Sequence, residues 1–336
     1  MSIKGKTILV TGGGGYIGGN IVKALHRADA IPIVVDYKNN IAIKPFTESY
    51  NKVDYGVREF YGIAKIHNID AIVHCAGTSL VGPSMTDPGE YYNNNVAKTI
   101  NMLNGLRENY KLVPIVFSSS ASVYGDPTYV PIDEKHPLRP MSPYGASKLM
   151  IERILQDFDI AYDLPHINLR YFNAAGASRE IGQAPGATHI IARIFESYMK
   201  QETFTLNGND YDTPDGTCVR DYIHVVDLAN AHIKALEYLF AHQDERHSIN
   251  LGTGKGISNL EVANAVEASL QLPPTTLKEM IKEGPRRPGD PAELVASNKL
   301  AKELLGWEPI HDIHDICKSA HAWYYHDAAE VAKLLR

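Results

Sequence analysis

The sequence predicts an α/β fold, a doubly wound and mostly parallel sheet with a smaller C-terminal substrate-binding portion. Three observations predict it. In the first half, short β-branched runs alternate with helix-length segments, the order of βαβ units. A glycine-rich turn joins the first run to the first helical segment. After Tyr171 the texture changes, and glycine and proline recur in 176–186, 207–216 and 284–291. The expected division is a sheet domain over 1–175, to which later strands and helices return, and a second portion over 176–336. A length of 336 residues suits two such units.

Taken in order, 7–11 is an apolar run ending in glycines, and 31–36, 71–75, 112–117 and 166–171 repeat the strand pattern. Between them 16–28, 89–109 and 143–158 read as helices. The segment 41–52 fits neither period and reads as loop plus a short strand. Residues 251–270 read as a further helix, with Ser258 as its cap and Glu261 three residues later closing a capping box.

Composition bounds the function. Lys and Arg total 33 against 39 Asp and Glu, a net charge of -6, which argues against a nucleic-acid surface as the main business. No apolar run approaches the roughly 18 residues of a membrane span. The start enters a strand-like run with no signal-peptide apolar region. Cys75, Cys218 and Cys317 are too widely spaced for a disulfide framework, so a reducing, cytoplasmic location is expected.

The turn after the first strand, Thr11 to Gly19, contains Gly12, Gly15 and Gly18 in the pattern T-G-x-x-G-x-x-G. The first glycine permits a tight turn, the second lets backbone approach a pyrophosphate, and the third lets helix and strand pack closely. N–H groups at the helix start then face the phosphates. Asp36 lies 18 residues past Gly18, at the end of the next strand. A carboxylate there accepts from ribose hydroxyls and repels a 2′-phosphate, which favours NAD over NADP. A rival loop, Gly252 to Gly256, has Gly256 after Lys255 instead of Ser or Thr. It fails the triphosphate pattern and reads as a turn.

The stretch from Ser142 to Lys148, SPYGASK, carries the chemistry. Ser142 suits an N-cap and Pro143 the first helical position. Tyr144 and Lys148 then share one helix face a turn apart. A phenol near pKa 10 is a poor base at neutral pH, but an adjacent ammonium favours the phenolate. The pair can remove a proton from a sugar hydroxyl as hydride leaves the same carbon. Upstream, Ser118, Ser119 and Ser120 close a predicted strand, at the sheet edge where ligands bind.

TGGGGYIG, SSSASVYG, SPYGASK and RYFNAAGA resemble the extended short-chain dehydrogenase/reductase superfamily with its Rossmann sheet. DGTCVRDYIHVVDLA and GPRRPGD narrow the resemblance to the UDP-glucose (UDP-galactose) 4-epimerases, over about residues 6–307. The resemblance implies catalytic Ser120, Tyr144 and Lys148. It implies an NAD site of Gly12, Gly15, Tyr16, Ile17, Gly18, Asp36, Asp54 near the adenine, and Asn95, beside Tyr144 and Lys148. It implies a UDP-hexose site of Asn173, His189, Arg220, Arg287, Asp290 and Leu294, with guanidinium forks matching a diphosphate. It further implies a homodimer through helices 89–109 and 143–158.

Three departures stand out. Ser79 occupies the place of a phosphate-contacting lysine, which implies looser cofactor retention. His189 stands where some members have asparagine. The segment between Asp36 and Asp54 is also shorter than in many relatives.

The expected activity is therefore 4-epimerisation of UDP-glucose and UDP-galactose. UDP-pentose or UDP-N-acetylhexosamine epimerisation are the alternatives of the same chemistry. A 4,6-dehydratase needs an Asp-Glu pair in the serine run, where Ser120 and Ala121 stand. A non-catalytic nucleotide sensor has no need for Tyr144 and Lys148. His311, His314, His321 and His326 read as solvated helix residues and not as a metal site. Cys75 reads as a small core residue, and Asp221, His224 and Asp227 as groups ordering the loop that presents Arg220.

Overall fold

The computed structural model describes residues 2–184, 186–286 and 290–326. The chain opens with β1 (Thr7–Thr11), α1 (Tyr16–Arg27), β2 (Ile31–Asp36), β3 (Ser49–Lys52), α2 (Glu59–Ile66) and β4 (Ala71–His74). Two single turns, α3 (Val81–Ser84) and α4 (Pro88–Tyr91), lead through a π-helical stretch (Tyr92–Ala97) into α5 (Lys98–Asn109). Then follow β5 (Ile115–Ser120), α6 (Pro143–Tyr162), β6 (His166–Tyr171), β7 (Asn173–Ala175), α7 (Ile190–Lys200), β8 (Phe204–Asn207), β9 (Val219–His224) and α8 (Val225–Ala241). The last elements are β10 (Arg246–Leu251), β11 (Gly256–Ser258), α9 (Asn259–Ser269), β12 (Ile281–Gly284), β13 (Glu293–Leu294), α10 (Lys299–Leu305) and α11 (Ile313–His326).

Seven strands form one parallel sheet in the order β10-β6-β5-β4-β1-β2-β3. The order reverses direction at β1, as in a doubly wound sheet. The strands are buried on both faces, as parallel strands between helices must be. Ile8, Val10, Val34, Val73 and Ile167 pack toward α1 and α8. Their neighbours Leu9, Val35, Ile72, Ile115 and Phe117 pack toward α2, α5 and α6. A third core joins α7, α9 and α11 around Phe195, Val262, Val266 and Cys317. After the first excursion, α8 and β10 return to the sheet beside β6.

Four predicted boundaries differ, each for a local reason. The strand expected at 112–117 runs Ile115–Ser120. Pro114 has no N–H for a ladder, and the serines stay extended in register with Leu169, Arg170 and Tyr171. The helix expected at 89–109 is interrupted by the π-helical stretch Tyr92–Ala97, which turns Asn95 inward. The helix expected at 251–270 begins only at Asn259, because 246–251 forms the seventh sheet strand and 256–258 pairs with β9. Its Ser258–Glu261 capping box is present, with both bonds made. The helix over 143–158 continues to Tyr162 and ends where Asp163 turns left-handed at φ 52°.

Three histidines are buried without charge. His74 is hydrogen-bonded between Thr11 and Thr99, and burial holds its pKa down at about 3. His232 donates from Nδ1 to the Leu228 carbonyl, and burial lowers it to about 4. Burial, and then His311, lowers His224 to about 4. An unfolded histidine takes up a proton near pH 6.5 while these stay neutral, so the unfolded chain binds more protons below that pH. The stability they contribute is present above pH 6.5 and lost as pH falls toward 4. Between pH 6.5 and 5 the loss is on the order of 2 kcal/mol for each. Urea unfolding midpoints should therefore drop steadily from pH 7 to 5, with a shallower slope in His232→Gln. A flat profile over that range contradicts the assignment.

Candidate active site

The turn after β1 is built for a close approach. Gly12 has φ 70°, and a Cβ there would lie 2.8 Å from the Ala76 nitrogen. A Cβ at Gly18 would fall on the Gly12 carbonyl. Gly15 is the N-cap of α1 and brings no side chain to its first N–H groups, which leaves a donor set suited to an anion. Tyr16 and Ile17 anchor the helix start. The Tyr16 hydroxyl donates to the Gly176 carbonyl at 2.7 Å, and Ile17 packs on the core.

Asp36 ends β2 beside this turn. Its carboxylate accepts from the Gly14 N–H at 3.0 Å and the Lys38 N–H at 2.9 Å. Burial nonetheless raises its pKa above the ordinary value. Asp54 accepts from the Gly56 N–H and pairs with Lys98 at 2.5 Å, which ties the turn after β3 to the start of α5. Asn95 is a strut. Its Oδ1 accepts from the Thr78 N–H at 2.7 Å, and its amide donates to the Thr78 carbonyl and the Ser147 hydroxyl. That pins the loop after β4 to α6 and commits both amide protons. Ser79, the lysine replacement, lies in this same loop.

Along α6, Ser142 caps the helix by accepting from the Gly145 N–H, and Pro143 takes the first position. Tyr144 and Lys148 are 7% and 4% exposed. Lys148 donates to the Ser118 carbonyl at 2.8 Å and lies 5.9 Å from the Tyr144 ring centroid. Burial raises the Tyr144 phenol, while a hydrogen bond with Ser120 works against the rise. Burial lowers Lys148 to about 8, opposed by Cys75 and Glu152. At neutral pH the lysine keeps its charge beside a phenol whose ionised form needs it. Tyr91 closes one side of Tyr144 with an edge-on ring contact, whereas its neighbour Tyr92 is exposed.

The second portion delivers its residues to the same edge. Asn173 starts β7, and β9 carries Arg220. Arg220 forms an ion pair with Asp290 and donates to the Val219, Pro291 and Ala292 carbonyls. Much of its fork is thus spent on ordering its own loop. Leu294 pairs in register with Arg220 and packs in the cluster of Ala121 and Phe172, next to Ser120 and Asn173. His189 is the exposed N-cap residue of α7. Arg287 lies outside the described residues.

Asp221 accepts from the Thr253 N–H and hydroxyl and from the Gly254 and Ala296 N–H groups. The donors that would make Gly252 to Gly256 a phosphate loop are therefore occupied, and the segment is a turn. Asp227 takes the Ile310 and His311 N–H groups and the His311 ring, which stacks on His224 at 4.3 Å. His311 is thus a partnered residue before α11, not a solvated helix residue. Cys75 sits just past β4 with its sulfur 2.9 Å from the Ser118 hydroxyl, and burial pushes its thiol up to about 11, an inert state. Sequence reasoning missed the Glu152–Arg170 pair behind Lys148. The only signal for it is that Glu152 recurs four residues after Lys148.

Residues 8–252 match the NAD dependent epimerase/dehydratase family. The chain is 41% identical over 330 residues to a UDP-glucose 4-epimerase of Lacticaseibacillus casei, covering 95% of this chain and 96% of that one. It is similar to the UDP-glucose 4-epimerase of Stenotrophomonas maltophila, solved with NAD and formylated UDP-arabinopyranose. The TM-score is 0.88 at 34% identity, over 97% of this chain and 99% of that one. It is also similar to the Bifidobacterium longum UDP-glucose 4-epimerase, solved with NAD+ and UDP. There the TM-score is 0.86 at 35% identity, over 96% and 99% of the two chains.

The turn geometry makes one prediction. Gly18→Ala drives a methyl group into the Gly12 carbonyl, an overpacking that costs about 1–3 kcal/mol. Thermal denaturation should show a lowered Tm, and dinucleotide titration at least a tenfold weaker Kd. Wild-type affinity in the variant contradicts the cradle.

Proposed function

The chain belongs to the NAD dependent epimerase/dehydratase family, and from that premise we propose that it interconverts UDP-glucose and UDP-galactose. One observation carries the reading. Tyr144 and Lys148 on α6 meet Ser120 and Ser118 at the carboxyl end of β5, on the same sheet edge as the glycine cradle.

The residues fit NAD. Gly12, Gly15 and Gly18 leave room for a pyrophosphate at the start of α1, and Asp36 offers its carboxylate to an adenosine ribose. Asn95 contributes by fixing the loop after β4 and Asp54 by fixing the adenine side. Bound NAD supplies reversible oxidation at the sugar carbon, so that a 4-keto sugar forms and is reduced on either face. Tyr144 Oη accepts the proton of the C4 hydroxyl and returns it, assisted by the Lys148 charge. Ser120 orients the reacting oxygen. The reaction has no net redox change, so one bound cofactor serves repeated turnovers.

We carry the expected division of labour over as part of the proposal. Residues 1–175, with α8 and β10, hold the dinucleotide, and 176–336 mainly hold the sugar nucleotide. We assign Asn173, His189 and Arg287, the last outside the described residues, to the UDP-sugar site, while Arg220 and Asp290 shape its loop as an ion pair. We place a homodimer contact on the helices over 89–109 and 143–158, where Tyr92 and Met150 are exposed. Among the described residues no helix is long and apolar enough to cross a membrane.

Purified enzyme given UDP-galactose, without added reductant, should form UDP-glucose. Absence of conversion contradicts the reading. Tyr144→Phe keeps the packing ring but removes the proton acceptor. It should retain Tm and NAD content while losing roughly 10²–10⁴-fold in kcat. Near-wild-type kcat in the variant excludes Tyr144 as the base.

Leu294 bears on the choice of sugar. A branched side chain beside Ala121 and Phe172 limits room near C2 and offers no partner to an acetamido group. Burying that amide unpaired costs about 1–3 kcal/mol, roughly 5- to 150-fold. The kcat/KM for UDP-galactose should exceed that for UDP-N-acetylgalactosamine, with Leu294→Ser narrowing the gap. Equal wild-type values mean that Leu294 does not gate the pocket.

A further inference from the structure

We propose that Glu152, clamped by Arg170 and Ser119, is a positioning residue that sets where Tyr144 and Lys148 stand against the end of β5. The proposal deepens the epimerase reading and rests on it for its kinetic test.

Three successive turns of α6 meet three successive serines. Ser120 opposes the rise in the Tyr144 pKa, and Lys148 donates to the Ser118 carbonyl. Glu152, one turn further, accepts from the Ser119 hydroxyl at 2.5 Å. The first two contacts lie in the cleft and must accommodate substrate and cofactor. The third lies behind them, where Glu152 and Arg170 side chains are only 6% and 5% exposed.

The clamp is doubly anchored. Arg170 grips Glu152 with two parallel donations, Nε to Oε1 at 3.0 Å and Nη2 to Oε2 at 2.6 Å. Its third nitrogen donates to the Tyr124 hydroxyl at 3.0 Å, which donates in turn to Asn250 Oδ1 at 2.6 Å. The Asn250 N–H donates to Glu134. The helix is thereby referenced to β5, β6 and β10 together. A buried ion pair adds little stability over well-packed apolar residues of the same volume. What it does supply is direction: a bidentate fork tolerates neither rotation nor sliding of α6.

Glu152 also faces Lys148 electrostatically. The groups that act on the ammonium are His74 and Cys75 from the end of β4 and Tyr144 and Glu152 from α6 itself, with Arg170 bound to Glu152 and Tyr171 coupled to Cys75 and Tyr144 behind them. His74 is held neutral, and the Cys75 and Tyr171 protons are held on by burial. Glu152 is the carboxylate of this set, and it favours the charged lysine. Without its charge, Lys148 gives up its proton at lower pH, and the phenolate loses its counter-charge there.

The test uses the full-length enzyme with its bound cofactor. In Glu152→Gln the high-pH limb of kcat/KM for UDP-galactose should move at least half a pH unit lower. The kcat should fall tenfold or more, with KM changed less than threefold. Because Arg170 is left unpaired, the single variant can misfold. The double variant Glu152→Leu/Arg170→Met, which replaces the pair by apolar residues, is made alongside it. A merely structural role predicts a folded double variant with wild-type kcat and pH limb, and that result overturns the proposal. A readout free of turnover accompanies it. In protein labelled with 15N at lysine Nζ, with Lys148 assigned by its loss in Lys148→Met, the Lys148 midpoint should fall in every folded Glu152 variant. An unchanged midpoint overturns the proposal even if the wild type fails to turn over UDP-galactose, an outcome that would count against the epimerase reading alone.

Discussion

Parallel pairing brings the carboxyl ends of the seven sheet strands to one edge, and the glycine turn, Asp36 and the serine run all stand at that edge. Thr11 ends β1, Asp36 ends β2, His74 ends β4, Ser120 ends β5 and Tyr171 ends β6. Their side-by-side register brings residues far apart in sequence within one cleft. The same constraint explains the glycines. With β1 and β4 adjacent, the turn after β1 runs against the backbone at Ala76, and Gly12 leaves room that a side chain would fill.

The electrostatics follow from what that edge buries. Asp36 is partly desolvated but accepts two backbone N–H bonds, which oppose the rise in its pKa. Lys148 is a buried cation, and its neighbours divide the task of keeping it charged. Neutral His74 avoids a second positive charge, the Ser118 carbonyl accepts its proton, and Glu152 stands one turn behind. Arg170 in turn neutralises Glu152. The site carries charge where a proton must move and pairs it elsewhere, so a single phenol can alternate between accepting and donating at near-neutral pH.

How much of this was legible in the sequence depended on the range of the interaction. The glycine turn, the Ser142 cap with Pro143, and the Ser258–Glu261 box are local, and each is where the residues indicated. The strand ends at Asp36 and Tyr171 were legible because β-branched periodicity stops there. The start of β5 was misplaced because Leu112 and Val113 look like strand, although Pro114 breaks the ladder. The seventh sheet strand was not anticipated, and its last residue was placed in a helix, since 246–251 pairs with β6, some 80 residues earlier. The Arg170 partner of Glu152, the Asp290 partner of Arg220 and the Asp227 partner of His311 are likewise tertiary facts. No spacing rule connects residues 18, 70 and 84 positions apart. Asn95 is a further tertiary fact: from its π-helical turn it braces the loop after β4, a role that no local pattern signals.

The central claim is that a sugar carbon is oxidised and re-reduced within one site whose base is Tyr144 and whose cofactor stays in place. The most direct measurement follows the hydrogen at that carbon. UDP-galactose carrying deuterium at C4 is incubated with the purified enzyme in ordinary water, and the UDP-glucose formed is analysed by NMR and mass spectrometry. The account predicts that the deuterium remains at C4 of the product, with inverted configuration there. Loss of the label to solvent, or its replacement by solvent hydrogen at C4, would contradict it.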